Sequence, residues 1–300
     1  MHQAPQFRGT FTAITTPFTE DGSAIDFDVL KEQIKFQAAG KVTGVVLAGT
    51  TGESPTLEAE EWRSLITRGT LMAHEFGILA VAGTGSNSTH HACELQKFAA
   101  KAGADAALCV NPYYNKPVQE GLYAHFMAQA DAAALPVILY NVPSRSGVAL
   151  APDTVGRLAK HPNIKAIKEA TGSPDSASEI LIKAPNIALL SGDDTLTLPF
   201  ASVGGVGVVS VVSNIMPEKI VALCNAFLGN RWADALKLHR ELVPVCKAMF
   251  VETNPIPVKA AMKLLGRDSG VLRLPMTAAS PATIKTLESV LAGIRQPVAV

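Results

Sequence analysis

Short apolar runs rich in β-branched residues recur along this chain, each followed by a longer stretch with helical spacing of its apolar positions. Eight such runs predict strands over Thr10–Thr15, Gly44–Ala48, Ile78–Gly83, Ala106–Val110, Val137–Tyr140, Ile164–Lys168, Ile187–Ser191 and Gly207–Val212. Between them the spacing predicts helices over Asp28–Ala39, Leu57–Ala73, Ser88–Ala102, Gln119–Ala133 and Ala151–Ala159. Strands alternating with helices through short loops are the signature of a parallel sheet. Eight β/α units in about 230 residues favour a closed (β/α)8 TIM barrel. An open doubly wound sheet is the alternative, because alternation alone does not establish closure. After Pro217 the strand signals stop, and Glu218–Leu228, Trp232–Phe250, Pro257–Leu265 and Thr283–Ile294 read as helices. The expected organisation is an α/β barrel over residues 1–230 and a C-terminal helical extension over 231–300. The extension is too short to fold alone and is expected to pack on the barrel or on another subunit.

Composition narrows the function. The chain has 300 residues, 48% of them hydrophobic and 17% charged, which suits a soluble protein with a large core. Lys+Arg and Asp+Glu both total 26, so the formal net charge is zero. With no basic stripe or acidic tail, nucleic acid and membrane surfaces are not expected partners, and a small molecule is. Residues 1–8 lack the apolar core of a signal peptide, and Val203–Met216 is too short and glycine-rich to span a bilayer. The extreme tail, residues 296–300, is expected to fray. Cys93, Cys109, Cys224 and Cys246 have no paired spacing and read as reduced, buried thiols of a cytoplasmic protein. His90, His91 and Cys93 do not make a metal site, since neighbouring helical positions point in different directions. Gly83–Thr89 lacks the ending of a P-loop, and Gly204–Gly207 lacks the third glycine of a dinucleotide fingerprint.

In a barrel the chemistry sits at the C-terminal ends of the strands. Lys168 closes the sixth apolar run. Desolvation favours a neutral amine, and a neutral amine can form a Schiff base with a ketone. A strand-end lysine can equally be paired with a carboxylate such as Glu169. Thr50 and Thr51, in Gly49–Ser54, lie in a glycine-flanked turn whose N–H groups and hydroxyls suit a small carboxylate. They also suit a helix N-cap. Tyr140 ends the fifth strand, where it can pass protons to a lysine adduct or be a strand tyrosine with a bonded hydroxyl. Arg145 stands in a Pro-Ser-Arg-Ser-Gly loop, where its guanidinium can clamp a carboxylate or remain a solvated charge. Taken singly, each has an ordinary structural reading. Taken together, they lie at one end of one set of strands.

These motifs resemble a known family. Gly49–Ser54 (GTTGES), Asn111–Asn115 (NPYYN), Tyr140–Arg145 (YNVPSR), Ile167–Gly172 (IKEATG), Leu190–Asp194 (LSGDD) and Asn254–Lys259 (NPIPVK) look like those of the dihydrodipicolinate synthases. That family belongs to the pyruvate-dependent class I aldolases, which include N-acetylneuraminate lyase. The similarity runs from about Gly9 to about Pro275. It implies that Lys168 condenses with pyruvate to an imine, whose enamine attacks L-aspartate-4-semialdehyde. Tyr140, Thr50 and Tyr114 would relay protons, with Tyr114 reaching in from a neighbouring subunit. Thr50 and Thr51 would hold the pyruvate carboxylate and Arg145 that of the semialdehyde. Gly192 and Val209 would line the pocket. An iminium beside a carboxylate is itself the electron sink, so neither metal nor cofactor is expected. The resemblance also implies a homotetramer built from dimers.

Arg145 favours the amino-acid branch, because keto-sugar and sialic-acid aldolases resemble the chain at Lys168 and Tyr140 but usually lack that arginine. The alternatives are a retro-aldol lyase of a sialic acid or 2-keto-3-deoxy sugar acid, and a catalytically silent binder of keto acids. One departure stands out. Relatives strongly inhibited by L-lysine usually carry a histidine and a glutamate where this chain has Trp62 and His91, while Asn87 and Tyr113 match. Loss of the acidic partner for a ligand's ammonium predicts weak or absent lysine feedback.

Overall fold

The computed structural model describes residues 7–292. Among them the strands β1 (Gly9–Ala13), β2 (Gly44–Leu47), β3 (Leu79–Gly83), β4 (Ala106–Val110), β5 (Val137–Asn141), β6 (Ile164–Glu169), β7 (Ala188–Ser191) and β8 (Gly207–Ser210) pair in sequence order. All are parallel, and β1 pairs with β8, so the sheet closes into a barrel. Closure excludes the open-sheet alternative.

Helices α1 (Phe27–Ala39), α2 (Ala59–Glu75), α3 (Thr89–Lys101), α4 (Gln119–Asp131), α5 (Pro143–Ser146), α6 (Pro152–Leu158), α7 (Pro174–Lys183), α8 (Thr197–Ser202) and α9 (Pro217–Leu228) return the chain between strands. Their starts follow local chemistry. Asp26 caps α1 by accepting the N–H groups of Asp28 and Val29 at 3.1 and 3.0 Å. Glu58 and Glu61 form a capping box on α2. Beyond α9 come α10 (Trp232–Ala248), α11 (Ile256–Leu264) and α12 (Pro281–Leu291), which share one apolar cluster with α9 and Val208 of β8. The predicted last helix ran to Ile294; residues 293 and 294, like 296–300 and 1–6, lie outside the described residues.

Successive strand residues point to opposite faces, and the two faces are filled differently. Val137, Leu139 and Ile167 face the helices, whereas Phe11, Val46, Val81, Ile138, Ala166 and Leu190 fill the barrel interior. Continuous apolar runs are what a strand buried on both faces requires.

Three strands end earlier than their apolar runs predict. Strand β1 stops at Ala13 rather than Thr15, whose N–H donates to Asn214 Oδ1 at 3.3 Å instead of to a neighbouring strand. Strand β2 stops at Leu47 because Ala48 takes a φ of +51°, which turns the chain out of the sheet. Strand β8 stops at Ser210 because the carboxylate of Asp194 accepts the N–H groups of Val211 and Val212 at 2.9 and 3.2 Å, removing them from the ladder. Helix α5 lies in a segment expected to be loop; four residues after a proline are too few to show a period.

Candidate active site

Strand alternation turns Tyr140 and Lys168 into the barrel mouth, and the register of β5 and β6 sets them side by side. Lys168 is only 6% exposed, with Nζ 4.2 Å from the centroid of the Tyr140 ring. Its neighbour Glu169 points the other way. One Glu169 oxygen accepts the Thr171 N–H at 2.8 Å and the other accepts Asn141 Nδ2 at 3.0 Å. The carboxylate-paired reading of Lys168 therefore fails among the described residues. A buried amine without a counter-charge is costly in a bystander and is what an amine nucleophile needs.

Behind this pair runs a buried polar chain along the ends of β4, β5 and β6. Asn111 Nδ2 donates to Asn141 Oδ1 at 3.1 Å, and Asn141 Nδ2 continues it to Glu169. Burial pushes the Glu169 carboxyl upward, against the opposing hydrogen bonds from Thr171 and Asn141. This chain fixes the relative height of the strands that carry Tyr140 and Lys168. Asn111, Asn141 and Glu169 all stand inside the quoted motifs, yet nothing in the sequence pairs them with one another.

The threonine turn leaves β2 through Ala48 and closes at Glu53, whose φ is +53°. Gly83 of β3 permits that turn, since a Cβ there would sit 2.1 Å from the Ala48 carbonyl. Thr50 lines a cavity, whereas Thr51 is buried and its Oγ1 accepts from Asn254 Nδ2 at 3.0 Å. Neither threonine caps the following helix; Glu58 does.

Gly192 follows β7, where a Cβ would lie 2.7 Å from Ala170 Cβ, 3.1 Å from the Glu169 carbonyl and 3.2 Å from Lys168 Cε, so a glycine lets the chain pack closely against the end of β6. Val209 packs in the interior cluster with Tyr140. Asp194 holds the chain just past Val209, and burial pushes its carboxyl upward. Arg145, on α5, donates from Nη2 to the Asn254 carbonyl at 3.4 Å and is otherwise exposed. Tyr114 is not brought to its own chain's site: it is 89% exposed on the loop after β4, with a φ of +73°.

Thr50, Tyr140, Arg145, Trp62, His91 and Tyr113 all line one cavity of about 490 Å³. Trp62 is fixed there by an Nε1 hydrogen bond to the Gly83 carbonyl at 3.1 Å and by the Phe98 ring at 5.6 Å. Lys168, Thr51, Gly192 and Val209 are not on the cavity wall; Lys168 meets the cavity through the Tyr140 ring it lies against. Among the described residues no group of three or more His, Cys, Asp or Glu could hold a metal ion, and no helix is long and apolar enough to cross a membrane.

A family model described as the dihydrodipicolinate synthetase family matches residues 6–294. The 4-hydroxy-tetrahydrodipicolinate synthase of Geotalea daltonii is 48% identical over 286 residues, covering 95% of this chain and 98% of that protein. That of Methanothrix thermoacetophila is 48% identical over 287 residues, covering 95% and 96%. The crystal structure of dihydrodipicolinate synthase from Aquifex aeolicus superimposes with a TM-score of 0.94 at 41% identity, over 98% of this chain and 100% of that one.

Proposed function

The chain belongs to the dihydrodipicolinate synthetase family, and on that premise we propose how its residues carry out the family's chemistry. The activity is that of a 4-hydroxy-tetrahydrodipicolinate synthase, a lyase-type enzyme of lysine and diaminopimelate biosynthesis, rather than a sugar-acid lyase. Its substrates are pyruvate and L-aspartate-4-semialdehyde.

Lys168 Nζ adds to the pyruvate ketone, and water leaves as the iminium forms. The carboxylate of the bound pyruvate rests on the Thr50–Thr51 turn. Loss of a methyl proton gives the enamine, which forms a carbon–carbon bond with the semialdehyde's aldehyde carbon while Arg145 holds that substrate's carboxylate. The adduct's amino group then attacks the iminium carbon and displaces Lys168, regenerating the free amine. Tyr140, Thr50 and a Tyr114 supplied by a second copy of the chain move the protons. Gly192 and Val209 shape the floor. The observation that carries this reading is the buried Lys168 beside Tyr140, with no carboxylate partner among the described residues. A homotetramer in the cytoplasm is the setting we infer.

Among the described residues that line the cavity with Trp62, His91 and Tyr113 there is no aspartate or glutamate; Glu94, in the hollow beside Trp62 and His91, is already paired with Lys97 at 2.9 Å, so L-lysine is a weak effector or none. The test is an assay of purified protein with pyruvate and L-aspartate-4-semialdehyde, repeated with millimolar L-lysine, and in parallel with N-acetylneuraminate. Condensation little changed by lysine is expected. Pyruvate release from the sugar acid without condensation would select the lyase instead.

A further inference from the structure

The turn that carries Thr50 and Thr51 is fastened to the C-terminal helices, and the fastening is a fully buried ion pair. Lys259 Nζ, on α11, donates to Glu53 Oε1 and to the Thr16 carbonyl, each at 2.8 Å. The second Glu53 oxygen accepts the Arg273 N–H at 3.0 Å. The side chains of Lys259 and Glu53 are 0% and 2% exposed, and the two sit 206 positions apart in the chain. Lys259 and Arg273 also both lie over the Phe18 ring, at 4.3 and 4.2 Å. Five residues before Lys259, Asn254 holds Thr51 through its side chain and Arg145 through its carbonyl. One short segment, Asn254–Lys259, therefore touches the turn at two points and the arginine loop at a third.

Stability alone is a poor reason for such a pair, because an apolar pair of similar volume usually serves as well. Geometry is a better one. Glu53 holds a positive φ, a backbone state that a non-glycine residue keeps only where its surroundings over-determine it. We propose that Glu53 and Lys259 are positioning residues: their pairing fixes the Thr50–Thr51 turn in the shape that receives the pyruvate carboxylate, so the C-terminal helices set pyruvate affinity. Neither side chain reaches the reacting atoms. The proposal rests on the assignment of that turn to the pyruvate carboxylate.

The test compares Lys259→Met, Glu53→Gln, the double variant, Thr51→Val and Leu287→Ala, the last a buried α12 position outside the site. For each, Tm, kcat, both KM values and the pyruvate concentration that half-saturates borohydride trapping are measured. Lys259→Met is expected to raise the pyruvate KM and the half-saturating pyruvate together by about tenfold or more, while the semialdehyde KM moves about threefold at most. The double variant is expected to regain Tm without regaining pyruvate affinity. Leu287→Ala is expected to lower Tm with pyruvate KM within about twofold of the parent. A folded Lys259→Met protein with unchanged pyruvate KM overturns the proposal, provided Thr51→Val raises it. If Thr51→Val also leaves it unchanged, the carboxylate assignment is what has failed, and the proposal falls with it. Loss of folding in every pair variant makes the pair a stability element and equally overturns the proposal.

Discussion

Arg145 offers most of its guanidinium to solvent, with one hydrogen bond to the Asn254 carbonyl among the described residues. A side chain so placed can form a two-pronged contact with a carboxylate that enters the cavity from outside. Arg145→Ala is expected to cost about 2 to 3 kcal/mol, or about 30- to 150-fold in kcat/KM for the semialdehyde. Trapping of the pyruvate adduct should survive the substitution, and a loss of both would contradict the assignment. Lys168 and Tyr140 stand out in the sequence as polar residues at predicted strand ends, and Arg145 as a charge in the loop after the fifth strand. Asn254, Glu53 and Lys259 do not. Their motif was visible, but pairing across 206 positions leaves no periodic trace, and only the fold brings α11 beneath the turn.

Helix α4 carries a buried histidine that chemistry does not explain. His125 is 3% exposed; its Nδ1 lies 2.9 Å from Thr89 Oγ1, and its Nε2 has no partner among the described residues. Desolvation lowers its pKa from 6.5 to about 4. The neutral ring is therefore required by the fold, while the unfolded chain takes up a proton as the pH falls through 6.5. The stability is intact above that pH and lost progressively down to about 4, by roughly 3 kcal/mol in all. Denaturant titrations of the parent and His125→Gln between pH 7.5 and 4 test this. The parent's stability should fall more steeply with acid; parallel curves would contradict the linkage. At this scale the sequence marked the strands closely, because apolar β-branched runs are confined to them. It overran the ends of β1, β2 and β8, where the Asn214 side chain, a positive φ at Ala48 and the Asp194 carboxylate override local preference.

The whole molecule raises the question of what covers Tyr114. Eight alternating units favoured a closed barrel, and only the pairing of β1 with β8 shows it; assembly leaves no comparable pattern in the sequence. Tyr114 is 89% exposed at a positive φ and does not line the cavity, and the relay we propose takes this tyrosine from a second copy. Complementation tests this directly. Lys168→Ala and Tyr114→Phe proteins are each expected to be nearly inactive. Dissociated together and reassembled at equal amounts, they should recover up to about a quarter of parent activity, because half of the dimers are hybrids with one intact site each. No recovery on verified mixed assembly would place Tyr114 outside the relay.

Every step of the account begins with a covalent bond at Lys168. Intact-mass spectrometry after incubation with pyruvate and sodium borohydride tests it most directly, with Lys168→Ala as control. The account predicts one reduced pyruvate adduct per chain, mapped to Lys168 and absent from the control. An unmodified folded protein, or an adduct that persists in the control, would contradict it.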